Sequence, residues 1–193
     1  LIGHYTTDNS ILSSAAPDIP DRYTRLESAV YDNDNCLWTV VNGEVDTTLV
    51  CFLPNGVQRG VNLYSDPSTR FFVHTSSSMV IDAIRPEKKW MVSCRNIPAV
   101  VQLDDGGTPF DALDDKCKVQ SEFHDQNGNA IIPEYFYGLD QAPNGDIWVG
   151  SSSGPIIIPT SVDFLRSNQC HRLSISLPDG SNLLDVERVN AFA

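Results

Sequence analysis

Tyr137-Gly-Leu-Asp-Gln-Ala-Pro-Asn-Gly-Asp-Ile-Trp-Val-Gly150 is the stretch of sequence that decides the fold. It contains an apolar strand, an Asn-Gly turn and a second strand that begins at Trp148. Asn-Gly supplies the positive φ angles that a two-residue hairpin loop requires. The stretch therefore predicts a β-hairpin whose second strand carries the tryptophan.

Two further segments repeat this pattern, Ala29-Val-Tyr-Asp-Asn-Asp-Asn-Cys-Leu-Trp-Thr-Val-Val41 and Met79-Val-Ile-Asp-Ala-Ile-Arg-Pro-Glu-Lys-Lys-Trp-Met-Val92. The three tryptophans are 52 and 58 residues apart. A repeat of about 50 residues built from short strands is typical of β-propeller blades. A fourth copy begins near Val189. We therefore expect an all-β chain in which residues 1–193 form about three and a half blades of four antiparallel strands, as part of a larger, seven-bladed propeller.

The blade motif has a physical interpretation in each copy. An aspartate six to eight residues before the tryptophan marks the point where the first strand ends. The tryptophan is predicted to bury its ring between neighbouring blades, which stack around a channel because one blade cannot bury both faces alone. Glycines serve the tight turns. The predicted structural residues are Asp32, Trp38, Asp82, Trp90, Asp140, Gly145, Trp148 and Gly150.

Strand-forming residues and turn residues alternate along the whole chain. No window of a dozen residues shows helical periodicity, although residues 161–167 fit one helical turn. The innermost strands of the three blades are predicted over 26–31, 79–82 and 135–139, and the second strands over 37–42, 89–93 and 147–150. The third strands are predicted over 48–53, 99–103 and 155–158. The outermost strands are predicted over 57–64, 118–124 and 171–177.

Charge and hydropathy argue against nucleic-acid binding and against a membrane span. The 25 acidic and 13 basic residues give a formal charge of -12, which repels phosphate backbones and makes nucleic acid a poor partner. No apolar run reaches about 18 residues, so we expect no membrane span in this segment. Leu1-Ile-Gly-His-Tyr5 carries no secretory signal, so the chain is either cytoplasmic or has lost its original N-terminus.

The side chains that hold metals are present but lack metal-site spacing. Five cysteines show no CxxC or Cys/His pattern; they are expected to be buried or semi-buried thiols in strands, with at most two disulfides. Residues 32–35 begin like a calcium loop but lack its glycine and its terminal glutamate, so a hairpin turn is expected. Residues 104–105 and 114–115 form an acidic loop that is predicted to be solvated, the alternative being a loop that holds a cation. The histidines His4, His74, His124 and His171 are dispersed, and no metal or cofactor is predicted.

Two serine runs and one aromatic run are the candidate contacts for a ligand. Residues 76–78 and 151–153 lie near strand ends, where hydroxyl groups either bind a sugar or simply fit tight connections. Tyr135, Phe136 and Tyr137 alternate along an inner strand, so at least one is expected in the core and one facing a ligand. Neither a G-x-S-x-G elbow nor a nucleophile–base pair is visible, so no catalytic residue is predicted.

Several segments resemble known propeller repeats. Asn144-Gly-Asp-Ile-Trp-Val-Gly-Ser-Ser-Ser-Gly154 resembles the repeat of two-component-regulator-type propellers, and His4-Tyr-Thr-Thr-Asp-Asn-Ser-Ile-Leu12 is similar to the strand that precedes it. Leu183-Leu-Asp-Val-Glu-Arg-Val-Asn-Ala-Phe-Ala193, and residues 111–115 after Gly107-Thr-Pro109, resemble PorZ-like proteins, which are accessory components of the type IX secretion system. Cys36 and Lys88 depart from the repeat, which implies irregular turns in those blades.

This resemblance implies a non-catalytic binding and scaffolding propeller in the periplasm or at the cell surface. The family acts with an attachment complex that links secreted cargo to anionic lipopolysaccharide, so glycan or secretion-complex proteins are the implied partners. The remainder of the chain or a second chain would close the propeller. The alternative is an oligosaccharide-sensing periplasmic propeller of a hybrid two-component regulator, and a third hypothesis is a propeller lyase.

Overall fold

The computed structural model describes residues 4–16, 18–42, 47–63, 78–94, 97–173, 175–184 and 189. Their elements are α1 (Pro20–Tyr23), β1 (Leu26–Tyr31), β2 (Leu37–Val41), β3 (Leu49–Phe52), β4 (Gln58–Val61), β5 (Met79–Ile81), β6 (Lys88–Ser93), β7 (Ala99–Asp104), β8 (Lys116–Gln120), β9 (Phe123–His124), β10 (Ala130–Ile131), β11 (Phe136–Gln141), β12 (Ile147–Ser151), β13 (Gly154–Ile158), β14 (His171–Arg172), β15 (Ile175–Ser176) and β16 (Asn182–Leu183).

Twelve of these strands form three four-stranded antiparallel sheets in chain order. The first blade is β1–β4, the second blade is β5–β8 and the third blade is β11–β14. The first strands lie side by side, since β5 contacts both β1 and β11. Sheets that meet through their first strands radiate from a common inner edge. The predicted class is confirmed, because the chain is all-β and forms part of a propeller.

The outermost strands differ from the prediction. The predicted strand over 118–124 is broken, because β8 ends at Gln120 and β9 pairs instead with β10 in a separate hairpin. The predicted strand over 171–177 is broken in the same way, with β15 paired to β16. Gly128 and Gly180, which have φ of 82° and 84°, form the turns of these hairpins. These turn residues therefore belong to small hairpins that follow the second and third sheets.

One element was not predicted, and one predicted strand end lies outside the described residues. The helix α1 was not predicted; its signal is Pro20, since proline at the first helical position is pre-organised for the helix. The outer strand of the first blade was predicted over 57–64 and is β4 in the structure, but its predicted end at Tyr64 lies outside the described residues.

Apolar side chains between the blades form two main clusters. Trp38 and Val40 of the first blade pack with Met91 and Val101 of the second. On the opposite face of the second blade, Trp90 packs with side chains of the third blade and of β9–β10. The strand period of two places alternate residues on opposite faces, so the second blade, which lies between the other two, buries both of its faces.

The three tryptophans occupy equivalent positions on the second strand of each blade. Trp38 lies opposite Val30, Trp90 opposite Val80, and Trp148 opposite Asp140. Trp38 and Trp90 are fully buried. All three rings were expected to be buried between blades, but Trp148 is only half-buried. Among the described residues, the two inter-blade clusters contain Trp38 and Trp90 but not Trp148.

Candidate functional site

An aromatic platform at the start of β11 is the candidate site. It consists of Tyr135, Tyr137 and Ser152. The two rings lie within 22° of parallel, with their centroids 6.3 Å apart. Tyr135 is exposed and Tyr137 is half-buried, so both rings remain accessible. Phe136 between them is fully buried and packs edge-on against Phe123, with ring centroids 6.2 Å apart. This sorting into one core ring and two accessible rings follows strand alternation.

Backbone hydrogen bonds hold the platform in place. The hydroxyl oxygen of Ser152 accepts the backbone N–H groups of Glu134 at 3.0 Å and Tyr135 at 3.2 Å. In return, the Ser152 N–H donates to the carbonyl oxygen of Tyr135 at 3.0 Å. A register shift between Phe136 and Gly138 leaves Tyr137 as an extra residue in its strand. Such bulges re-aim side chains, so the paired rings are pre-organised before any ligand arrives.

Polar groups surround the platform. Glu134 is exposed beside it. The guanidinium of Arg172 donates to the carbonyl oxygen of Ser153 at 3.0 Å, on the turn that also carries Ser152. Flat aromatic faces with a hydroxyl group and an exposed glutamate in the same segment suit an amphipathic ligand that is apolar on one face and hydroxylated at its edges.

The other serine run does not join this site among the described residues. Residues 76 and 77, and also His74, lie outside the described part of the chain. The hydroxyl of Ser78 accepts the backbone N–H of Leu139 at 2.7 Å, so it links the second blade to the third.

The aspartates that end the first strands act as turn anchors. Asp32 accepts the backbone N–H of Cys36 at 2.8 Å and the indole N–H of Trp38 at 2.8 Å. This is the hairpin turn expected at residues 32–35. Asp82 is buried and accepts from the side chain of Gln141 at 2.8 Å, which joins the turn of the second blade to the third.

Asp140 departs from this pattern. It was predicted at the end of the first strand, but it lies within β11, is exposed, and is directly opposite Trp148. The residue equivalent to Asp32 and Asp82 is Ala142, whose N–H donates to Asp146 across the turn. The turn between the first two strands is two residues longer in the second blade than in the others. An aspartate eight residues before the tryptophan therefore follows the first strand in the second blade but lies inside the first strand in the third.

The two motif glycines serve different purposes. Gly145 has φ of 90° in the turn of the third blade, a conformation that other residues rarely adopt. A Cβ at Gly150 would collide with the backbone carbonyl oxygen of Val189. Gly150 therefore allows Val189 to lie directly on β12.

The acidic loop is less solvated than predicted. Asp105 is completely buried and forms an ion pair with Lys89, which is itself buried. Asp115 pairs with Arg59, and although burial raises the pKa of Asp115, hydrogen bonding and charge from Arg59 partly oppose that rise. These carboxylates are neutralised by partners of the chain itself, since a buried charge requires one.

The described residues contain no group of three or more histidine, cysteine or acidic side chains arranged to hold a metal ion. The described cysteines form no disulfide; Cys117 is exposed, unlike the expected buried thiols, whereas the other four are buried, and burial raises the pKa of Cys170 to about 12. A thiol with such a pKa is almost fully protonated near neutral pH, which makes it a poor nucleophile. None of the helices described is both long and apolar enough to cross a membrane.

Asp82 is expected to make the fold sensitive to acid. Burial raises the pKa of this carboxyl, but hydrogen bonds from Gln141 and from the backbone of Arg85 and Ile84 outweigh burial and hold the pKa below its usual value. A lowered pKa contributes stability above the unfolded-state pKa of about 4, and this stability is lost as the pH falls through the lowered value. We expect Asp82→Asn to reduce the free energy of unfolding at about pH 7 and to differ progressively less from the unmodified chain below about pH 4.

Urea unfolding at a series of pH values measures this difference. Asp140→Asn is the matched control, because Asp140 is exposed at the same end of a neighbouring first strand. A gap between Asp82→Asn and the unmodified chain that stays constant with pH would contradict the expectation.

No protein-family model matches the chain, and no curated protein matches it. The solved structures that are similar to it include two named proteins. One is PorZ, an essential bacterial surface component of the type IX secretion system of Porphyromonas gingivalis, with a TM-score of 0.79 and 20% identity over 98% of the chain. The other is the extracellular domain of the hybrid two-component system BT3049 of B. thetaiotaomicron, with a TM-score of 0.50 and 17% identity over 81% of the chain.

Neither similar protein is named as an enzyme. The chain spans 25% of the PorZ structure and 17% of the other, so it corresponds to a part of each. At these identities the likeness concerns the fold. The resemblance to PorZ-like and two-component-regulator propellers is thus confirmed in three dimensions, and the chain has the fold of a propeller segment of PorZ.

Proposed function

We propose that this chain is a non-catalytic binding and scaffolding propeller of a PorZ-like secretion accessory protein, located in the periplasm or at the cell surface. The observation that supports this proposal most is the match of 98% of the chain to a surface component of a secretion system. The extracellular location of the second similar protein supports the same compartment. Attachment-complex proteins and cell-surface glycan are the proposed partners.

The aromatic platform is the proposed glycan contact. The apolar C–H face of a pyranose ring packs on an aromatic ring, while its hydroxyl groups need polar partners at the edge. Tyr135 and Tyr137 offer two adjacent, nearly parallel rings, and Glu134 lies next to them. Because the backbone of this segment is fixed by Ser152, little conformational freedom is lost when a ligand binds.

The test is polysaccharide binding by Tyr135→Ala/Tyr137→Ala. Each ring contact is worth about 0.5–1.5 kcal/mol, so the double variant should bind about tenfold more weakly. Affinity electrophoresis in gels containing neutral or acidic cell-surface polysaccharide gives the dissociation constants. Tyr31→Ala is the matched control, since Tyr31 is 62% exposed at the end of β1. Unchanged binding by the platform variant would refute the assignment of the site.

Binding is expected to occur without turnover. Products of hydrolysis or elimination should stay at background when the chain is incubated with any polysaccharide that it binds. Product release that disappears on substitution of a single histidine or aspartate would overturn the non-enzymatic proposal.

A sensor propeller of a hybrid two-component regulator is the second candidate function. The match of 81% of the chain to the extracellular domain of such a system favours it. The sequence of the intact gene product separates the two proposals, because a transmembrane helix followed by a kinase domain would identify the sensor.

A further inference from the structure

A groove between the second and third blades forms a surface separate from the aromatic platform. Its volume is about 470 Å³, within the range of small-molecule sites. We call it the basic groove, and its charged lining is Lys88, Asp104, Lys116, Asp163 and Arg166. It lies at the end of the sheets where first and second strands are joined, whereas the platform lies at the other end.

The second blade contributes one wall. Lys88 on β6 lies directly opposite Asp104 on β7, which in turn lies opposite Lys116 on β8. Directly paired residues share one face of a sheet, so Lys88, Asp104 and Lys116 lie side by side on one face of the second blade. Asp104 already accepts the backbone N–H of Gly106 at 3.1 Å. Within the described chain, neither lysine forms a side-chain hydrogen bond or an ion pair, so both keep their donors for a ligand.

The third blade contributes the other wall through the turn at residues 163–166. Phe164 anchors this turn, since it is 1% exposed and its ring centroid lies 4.9 Å from that of Trp90. The backbone N–H of Arg166 donates to the carbonyl oxygen of Asp163 at 3.1 Å, which closes the turn. The Arg166 guanidinium lies 3.5 Å from the Asp163 carboxylate, yet the side chain is 87% exposed. Its planar fork is therefore held near the groove while most of its donors face solvent.

The charge of the groove is opposite to that of the chain as a whole. The chain carries a formal charge of -12, whereas three cations and two carboxylates line the groove. Lysine acts as a point charge, and arginine binds phosphate or carboxylate through two parallel hydrogen bonds. We propose that the basic groove binds an oxyanion, a phosphate or carboxylate group that is either free or carried on a small saccharide. The proposal does not depend on the aromatic platform.

The test is isothermal titration at low salt with four probes: inorganic phosphate, glucose 6-phosphate, glucuronate and glucose. Lys116→Gln/Arg166→Gln should weaken the binding of the charged probes at least tenfold. Arg22→Gln/Arg25→Gln, which removes the same charge from the region of α1, should change it less than twofold. Because all four residues are at the surface, we expect both variants to melt at the temperature of the unmodified chain.

The four probes also identify the source of the oxyanion. Tighter binding of glucose 6-phosphate or glucuronate than of inorganic phosphate assigns the groove to a sugar-borne group, and equal binding of both phosphates assigns it to a free anion. The proposal is overturned if no charged probe binds, if glucose binds as well as its charged forms, or if the two double variants weaken binding equally. The last result would show only the general effect of net charge.

Discussion

Replacing Trp38 with alanine should lower the free energy of unfolding by about 3–5 kcal/mol, as for other large aromatic side chains truncated in a core. The ring is completely buried between the first and second blades. Its indole N–H donates to Asp32 at 2.8 Å, and the ammonium of Lys89 lies 4.9 Å from the ring centroid. The substitution would therefore leave a cavity, an unpaired acceptor and a lysine without its aromatic contact.

Trp148→Ala is the matched comparison for this experiment. Trp148 occupies the same register position in the third blade but is only half-buried among the described residues. Its loss should cost about 1–2 kcal/mol, an ordinary value for a single substitution. Chemical denaturation of both variants measures the two values. Equal losses would show that Trp148 is covered as completely as Trp38, which would contradict the difference in burial.

Lys89→Met should destabilise the chain by about 3–5 kcal/mol, because it breaks a buried ion pair and leaves one charge uncompensated. The side chains of Lys89 and Asp105 are 3% and 0% exposed. The Lys89 ammonium also donates to the carbonyl oxygen of Pro86 at 2.9 Å, so it ties one turn of the second blade to another. Methionine preserves the length of the side chain but supplies neither the charge nor the donors.

A double variant separates the lost pair from lost packing. In Lys89→Met/Asp105→Asn the uncompensated carboxylate is removed, so much of the stability should return. Asp105 also accepts the backbone N–H of Gly107 at 3.1 Å, a bond that the asparagine oxygen can keep. Thermal melts of the single and double variants test this expectation. A double variant that is less stable than Lys89→Met would show that packing, and not the unpaired charge, causes the loss.

Turn chemistry and strand alternation made most of the fold predictable. The Asn144-Gly145 turn predicted a hairpin, and Gly145 has the positive φ that such a turn demands. The inner three strands of each blade were predicted to within about two residues, the usual uncertainty of strand ends. These features depend on hydrogen bonds between neighbouring strands, so the local sequence contains enough information to specify them.

The outer strands and Asp140 show where local spacing misled the prediction. An aspartate eight residues before tryptophan ends the first strand in the second blade, but the shorter turn of the third blade moves Asp140 into β11. The small hairpins after the second and third blades show the same kind of ambiguity, because a strand and its turn signal do not reveal which partner the strand will choose.

The sequence by itself determined the all-β class, the blade repeat and the position of each tryptophan in its sheet, because these follow from side-chain alternation and turn residues. Only the tertiary structure decided which groups meet across the chain. Ser78 of the second blade accepts the backbone N–H of Leu139 in the third, and Lys116 and Arg166 line one groove from these two blades. Such contacts depend on how one sheet stacks on the next, and the stacking results from the packing of many side chains together, which no single stretch of sequence encodes.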